Sequence, residues 1–365
     1  MIRKQLILCI ILLLLLTGCV EREILDDLNI ETAKGYDLVD ENTIKGTALF
    51  PVYIKDGAIE NRTLSAEAPS TREVLETLSR KSQQPLVRGS LDVVLIGDEL
   101  AKKGILDVAD SLQRDASIGA RVMLAVTEGN AGDILQGNYG IRGNGMFISN
   151  LLHQNIKRRE LPETNLHIFL FDYYQEGQTP YLPIIKQVSD DTLEVTGIAL
   201  MDEDKMIDRV ASDDMFFFKL LVDKLSEGSH VVKLGGKDGS TEQRVEAAVT
   251  SIKSKHKIKV VNKTDPVKVT IKITINGIIK EYTGKSLTPK KIKEIEDKMS
   301  SDIVDHSKKL LARFQELGID PIGIGQLQKH GMRGFDIKKW EKSLYPNVQF
   351  DIKPDVKILE SGTVE

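Results

Sequence analysis

The chain has 365 residues with 50 basic and 54 acidic side chains, a net charge of −4, and apolar and charged fractions of 41% and 28%, which is ordinary for folded material in water. No polybasic field is present, which argues against nucleic acid as the principal partner, because that binding is driven by clustered Lys and Arg on phosphates. The two cysteines, Cys9 and Cys19, both lie near the amino terminus, so the remainder of the chain contains no zinc-thiolate site, disulfide or cysteine nucleophile.

Arg3 and Lys4 precede eleven apolar residues, Leu6 to Leu16. As a helix these cover roughly 17 Å, short of a ~30 Å hydrocarbon core. A basic flank and a short apolar block are the layout of an export signal. Leu16, Thr17, Gly18 and Cys19 follow in an order that resembles the lipobox of bacterial lipoproteins. That resemblance implies removal of residues 1–18 and an S-diacylglyceryl thioether on Cys19, with or without N-acylation of the new amino terminus. The mature chain would then have 365 − 18 = 347 residues and, without Arg3 and Lys4, a charge of −6. Two acyl chains hold a protein on a bilayer where one binds marginally.

Beyond a polar stretch from Val20 to about Asn29, Ser70 and Glu73 have capping-box spacing and predict a helix start. The run 90–97 reads as a buried strand, 98–115 as a helix broken at Gly104, and 120–126 as another buried strand, an order typical of parallel crossover units. Residues 144–158 read as a helix, then "LHIFLFDYY" and "YLPIIKQV" as strand-like runs around the turn "QEGQTP". A strand over 191–201 leads to the acidic turn "DEDK".

In the second half, 251–261 and 267–275 read as antiparallel strands joined by "NKTDP", the latter alternating Val/Ile with Lys/Thr, and Asn276–Gly277 mark a turn or bulge. A long helix begins with Thr288 as cap and Pro289 in its first position, and stops at Gly318. A short helix around Trp340 and a strand over 348–359 complete the chain, and Pro354, which cannot donate to a ladder, makes that strand an edge or bulged there. The pattern predicts an α+β, multi-domain, elongated body of mixed sheets flanked by helices. Its parts are a signal (1–18), an N-terminal α/β domain (19–195), a middle region with antiparallel strands (196–285) and a C-terminal helix-plus-strand domain (286–365) packing on the middle strands.

Spacings diagnostic of catalysis are missing. The histidines, His153, His167, His230, His256, His306 and His330, are scattered without metal-binding spacing, and His256 on its strand reads as a surface or half-buried residue. "GNYGIRGNG" (Gly137 to Gly145) and "GGKDGS" (Gly235 to Ser240) lack the order of nucleotide-binding loops and read as loop and turn. Asp320, Pro321, Ile322, Gly323, Ile324 and Gly325 follow the helix stop and read either as a structured connector or as an exposed apolar loop that docks a partner. No catalytic residue, metal site or cofactor is assigned.

The lipobox with "GCVEREILDDLNI", the central "VVLIGDELAKKGILDVADSLQRDASIGARVMLAVTEGNAGDIL", the segment "GIALMDEDKMIDRV" and "DPIGIGQLQKHG" followed by Trp340 together resemble the spore germination lipoprotein family, the C subunits of nutrient germinant receptors. The resemblance implies a rigid three-domain, non-enzymatic ectodomain at the spore inner membrane. It also implies an integral membrane A subunit and a transporter-like B subunit as partners, with the bilayer reached through Cys19. A second function, from another class, is an extracytoplasmic solute-binding lipoprotein, for which the aromatic fraction of 5% is low. A cell-wall hydrolase would need a carboxylate pair that the sequence does not single out.

Overall fold

The computed structural model describes residue 5 and residues 27–54, 59–158, 160–235 and 245–361. The signal segment apart from residue 5, Cys19, and all of the turn 235–240 except Gly235 lie outside the described residues.

The first part is built on strands β1 (Asn29–Ile30), β2 (Ala33–Asp40), β3 (Thr43–Tyr53), β4 (Ile59–Ala68), β5 (Leu86–Val87), β6 (Val93–Gly97), β7 (Met123–Thr127), β8 (Tyr181–Ser189), β9 (Thr192–Asp202) and β10 (Lys205–Ala211). Eight of them form one sheet in the order β10-β9-β8-β7-β6-β2-β3-β4, and β1 and β5 form a separate parallel pair. Strands β2, β6, β7 and β8 run parallel, and antiparallel pairs close both sides. Residues 93–96 and 123–126 are entirely buried, as strands covered on both faces must be.

Helices α1 (Thr71–Lys81), α2 (Asp98–Lys103), α3 (Leu106–Arg114), α4 (Ala131–Gln136), α5 (Asn144–Arg158) and α6 (Leu166–Tyr174) cover the sheet. Val74, Leu78, Val108, Leu112 and Phe169 pack on one face, while Ile134, Leu135, Ile148 and Leu152 pack on the other. Helix α1 starts where Ser70 Oγ accepts from the Glu73 amide at 3.3 Å, as expected. The break between α2 and α3 falls at Gly104.

"LHIFLFDYY" is a correction: it is helix α6 and not a strand. Asn165 caps it by accepting from the Ile168 amide at 3.0 Å. Leu166, Phe169 and Leu170 are buried at i, i+3, i+4 spacing, while Phe171 and Tyr174 are 53% and 63% exposed. The aromatic composition favours strand, but a helical face here buries the better set of side chains.

The sheet also runs past the expected division at 195/196, since β9 spans it and β10 continues to Ala211. Helix α7 (Ser212–Val222), to which the sequence reading assigned no element, then carries Phe216, Phe217 and Phe218 into the interior.

The second sheet has the order β11 (Leu225–Leu234), β12 (Val245–Asn262), β13 (Lys268–Tyr282), β14 (Gln349–Ser361). The first three are an antiparallel meander, and β14 lies parallel to β13 at the edge, where Pro354 costs no internal ladder bond. On β13, Val269, Ile271, Ile273 and Ile275 are buried while Lys268 and Lys272 are exposed. Register shifts at Ser251/Lys253 and Gly277/Ile278 mark the bulge around Asn276–Gly277, past which pairing continues to Tyr282.

The parallel arrival of β14 requires a crossover, supplied by α8 (Pro289–Leu317). Thr288 Oγ1 accepts from the Lys291 amide at 3.3 Å, and Gly318 ends the helix at φ 71°. A further helix, α9 (Ile324–Gly331), and short turns around the buried Trp340 precede β14.

The fold is α+β with two sheet-based units in place of the three domains that the resemblance implied. One apolar cluster runs from Ala33 and Leu49 in the first sheet through Phe217 and Phe218 of α7 to Ile271 in the second sheet and Phe314 of α8.

Candidate functional site

The segment Asp320–Gly325 is packed inside the junction between the units, and the expectation of an exposed docking loop is corrected accordingly. Asp320 and Ile324 are 6% and 0% exposed, and only Ile322 is partly open. The cause is the αL stop at Gly318, which turns the chain back toward the α6–β8 connection.

There Asp320 donates its amide to Thr179 Oγ1 at 2.6 Å, and its carbonyl accepts from the Thr179 amide at 3.1 Å. Gln326 donates to the Gly177 carbonyl at 3.0 Å, and Tyr345 Oη donates to the Ile319 carbonyl at 2.7 Å. The Asp320 side chain caps α9: Oδ1 accepts from the Gly323 amide at 3.0 Å and Oδ2 from the Gly325 amide at 2.8 Å. Burial pushes the Asp320 carboxyl up to about 7, against the downward pull of those amides. The backbones are in direct contact, because a Cβ on Gly177 would sit 2.6 Å from the Gly325 carbonyl carbon. The six residues act as a clasp holding the second unit against the first.

A second junction joins α7, β11 and α8. His306 Nδ1 lies 2.5 Å from Asp214 Oδ1, and His230 Nε2 lies 3.5 Å from Asp302 Oδ2. The His306 ring stacks on Phe217 with centroids 4.1 Å apart, and Lys298 reaches Asp302 at 2.6 Å. Burial raises the Asp302 carboxyl, but its bonds from His230 and Lys298 outweigh this and hold it below the ordinary range. Arg313 of α8 also meets Asp208 of β10.

A third polar region lies between α5, α7 and β11. Its cavity of about 670 Å³ is lined by His153, Glu163, Lys219, Asp223 and Glu227 among others. Lys219 Nζ donates to the Ile156 carbonyl at 2.6 Å, and burial lowers its pKa. Burial pushes Asp223 up to about 7, with Lys219 opposing.

At the carboxyl ends of the parallel strands, where α/β sheets commonly bind phosphates, the helix amides are already engaged. Asp37 accepts from the amides of Ala131 at 2.6 Å and Gly132 at 2.9 Å, so this chain's own carboxylate occupies the place of an anion. The loop 137–145 is likewise spent internally. Asn144 Nδ2 donates to the carbonyls of Leu135 and Gly137, and Asn144 Oδ1 accepts from the Tyr139 amide. His256 is half-buried, with Nδ1 3.0 Å from the Leu220 carbonyl oxygen, and burial lowers its pKa. Among the described residues no group of three or more His, Cys, Asp or Glu side chains could hold a metal ion. No described helix is long and apolar enough to cross a membrane.

Sequence reasoning placed the clasp segment and left a structured connector and an exposed docking loop both open, and it did not find the partners at Gly177–Thr179. The signals were present as a glycine in each segment and an Asp three residues before Gly323, but neither says which distant segment is met.

Comparison with known proteins covers both units. The family profile described as "Spore germination protein N-terminal domain" matches residues 21–187, and "Spore germination B3/ GerAC like, C-terminal" matches residues 196–362. The chain is 33% identical over 365 residues to "Spore germination protein GerQC" of Bacillus cereus, covering 99% of this chain and 100% of that one. It is 22% identical over 315 residues to "Putative spore germination protein YfkR" of Bacillus subtilis (strain 168), covering 82% and 79%. A solved structure described as the GerBC protein superposes with a TM-score of 0.59 at 17% identity, over 90% of this chain and 98% of that one, which establishes a shared fold.

Proposed function

This chain belongs to the GerAC-like family of spore germination proteins, and from that premise we propose that it is the lipid-anchored, non-enzymatic C subunit of a nutrient germinant receptor. The observation that carries the reading is the end-to-end match to a spore germination protein together with the order Leu16, Thr17, Gly18, Cys19. The internal chemistry is in keeping with it. Asp320, Asp37 and Asn144 cap or staple backbone, and the histidine–carboxylate pairs tie α8 to α7 and to β11. In this reading the body sits at the outer face of the spore inner membrane beside an integral membrane A subunit and a transporter-like B subunit. A diacylglyceryl group on Cys19 confines it there, and confinement raises the effective concentration of partners, so modest contact surfaces suffice.

The test is Cys19→Ala in spores. Expected is loss of the protein from the membrane fraction and a weakened nutrient response, with the body still folded. Unchanged fractionation and response would refute the anchor.

The 670 Å³ cavity beside Lys219, Asp223 and Glu163 favours a second reading, direct capture of a small zwitterion such as an amino acid. Calorimetry with candidate germinants separates the two, since stoichiometric binding belongs to the second.

A further inference from the structure

Singly exposed apolar side chains are ordinary on a protein surface, but one corner of the first unit gathers several of them. Tyr53 and Ile54 at the end of β3 are 73% and 49% exposed, and Ile141 and Met146 are 89% and 45% exposed. The strand ladder and a side-chain staple bring them together. Tyr53 pairs with Ile59 and Pro51 with Asn61 across β3 and β4. Asn144 donates its amide to Asn61 Oδ1 at 2.8 Å, and Asn61 Nδ2 donates to Asn144 Oδ1 at 3.3 Å. A Cβ on Gly143 would lie 3.7 Å from Ile59 Cγ2.

The chain joins the sheet at this same corner. A Cβ on Gly145 would fall 2.5 Å from Thr32 Oγ1, and Thr32 donates its amide to the Leu49 carbonyl at 2.9 Å. From Cys19 to Asp27 there are 27 − 19 = 8 residue steps, which span at most about 28 Å. A lipid on Cys19 therefore keeps this end of the body close to the bilayer. Exposed Arg142 adds a cation at the patch, while Arg62 is paired with Glu60 at 3.3 Å.

We propose that this corner is a bilayer-docking face on which Tyr53, Ile54, Ile141 and Met146 enter the boundary between headgroups and acyl chains, with Arg142 meeting lipid phosphate. The proposal rests on the acyl anchor at Cys19 and adds an orientation to it. Tyrosine suits such a boundary because its ring is apolar and its hydroxyl stays wet, and anionic lipid attracts a nearby guanidinium. A tether alone leaves the body free to tumble, whereas a tether and an apolar contact at one corner fix which surfaces face membrane-embedded neighbours.

The test uses the full-length lipoprotein in phosphatidylglycerol–phosphatidylethanolamine vesicles. Once Cys9 has left with the signal and Cys19 carries lipid, an introduced thiol is the one free site for a fluorophore. Ile54→Cys and Ile141→Cys report on the corner. Val39→Cys, 48% exposed at the opposite end of β2, is the aqueous control. Expected is a loss of fluorescence at positions 54 and 141 when the lipids carry doxyl groups on their acyl chains, and protection there from aqueous iodide, with neither effect at position 39. If all three labels stay open to iodide while the protein floats with the vesicles and the Cys19 peptide has the diacylglyceryl mass, docking is wrong and the anchor stands. A Cys19 peptide without lipid removes both. Protection that appears only when other membrane proteins are reconstituted alongside assigns the corner to a protein partner and overturns the bilayer assignment.

Discussion

Replacing Asp320 by Ala removes the acceptor of two buried amides, those of Gly323 and Gly325 at 3.0 and 2.8 Å. Leaving them without partners costs about 2 to 4 kcal/mol in total, in line with the loss of a cap and of buried hydrogen bonds. That cost depends on pH, because burial raises the folded carboxyl from 3.8 to about 7. Stability contributed by a raised carboxyl is complete below its unfolded value near 3.8 and is lost as pH rises through about 7. Between pH 5 and pH 7 the change is about 3 kcal/mol, two pH units at about 1.4 kcal/mol each. Asp320→Ala should therefore destabilise the protein most in mild acid, and its penalty should shrink to about 1 kcal/mol or less by pH 8. Chemical denaturation of both forms at pH 5, 6, 7 and 8 measures this. A penalty that is constant or grows with pH would refute the reasoning, since it would mean that the amide bonds to the ionised carboxylate outweigh its desolvation.

Three further substitutions test the junctions. Gly177→Ala, at φ 77° and facing the Gly325 main chain at 2.6 Å, should cost about 1 to 3 kcal/mol and speed proteolysis at the loop 175–180; unaltered stability and cleavage would show that the clasp has room to move. Phe217→Ala, fully buried between His306 and Phe216, should cost about 3 to 5 kcal/mol. His306→Ala removes a half-exposed hydrogen bond to Asp214 and one face of the ring stack on Phe217, and should cost about 1 kcal/mol. Equal effects of these last two would mean that the α7–α8 contact depends on His306 as much as on the buried Phe217 ring.

Local chemistry made much of the fold legible in advance. Ser70 with Glu73, Thr288 with Pro289 and Gly318, and the break at Gly104 each act within about four residues, so the signal and its effect lie in the same short stretch. The alternation on β13 was legible because a strand's two faces differ by a period of two, and the edge position of β14 because Pro354 has no amide to donate to a ladder. Helix α6 was not, because its aromatics satisfy strand composition and helical spacing together, and the choice falls to the sheet face beneath it.

The sequence by itself determined where most elements start and stop, that no cysteine lies beyond Cys19, and, through the order of its motifs, the family. The tertiary structure decided that the two sheets share one core through α7, and that Asp320–Gly325 is an internal clasp closed on Gly177–Thr179. It also decided that Tyr53, Ile141 and the start of β2 meet at one corner. These contacts join residues tens to more than a hundred positions apart, and which distant surfaces meet follows from the packing of the whole chain, which no local pattern encodes.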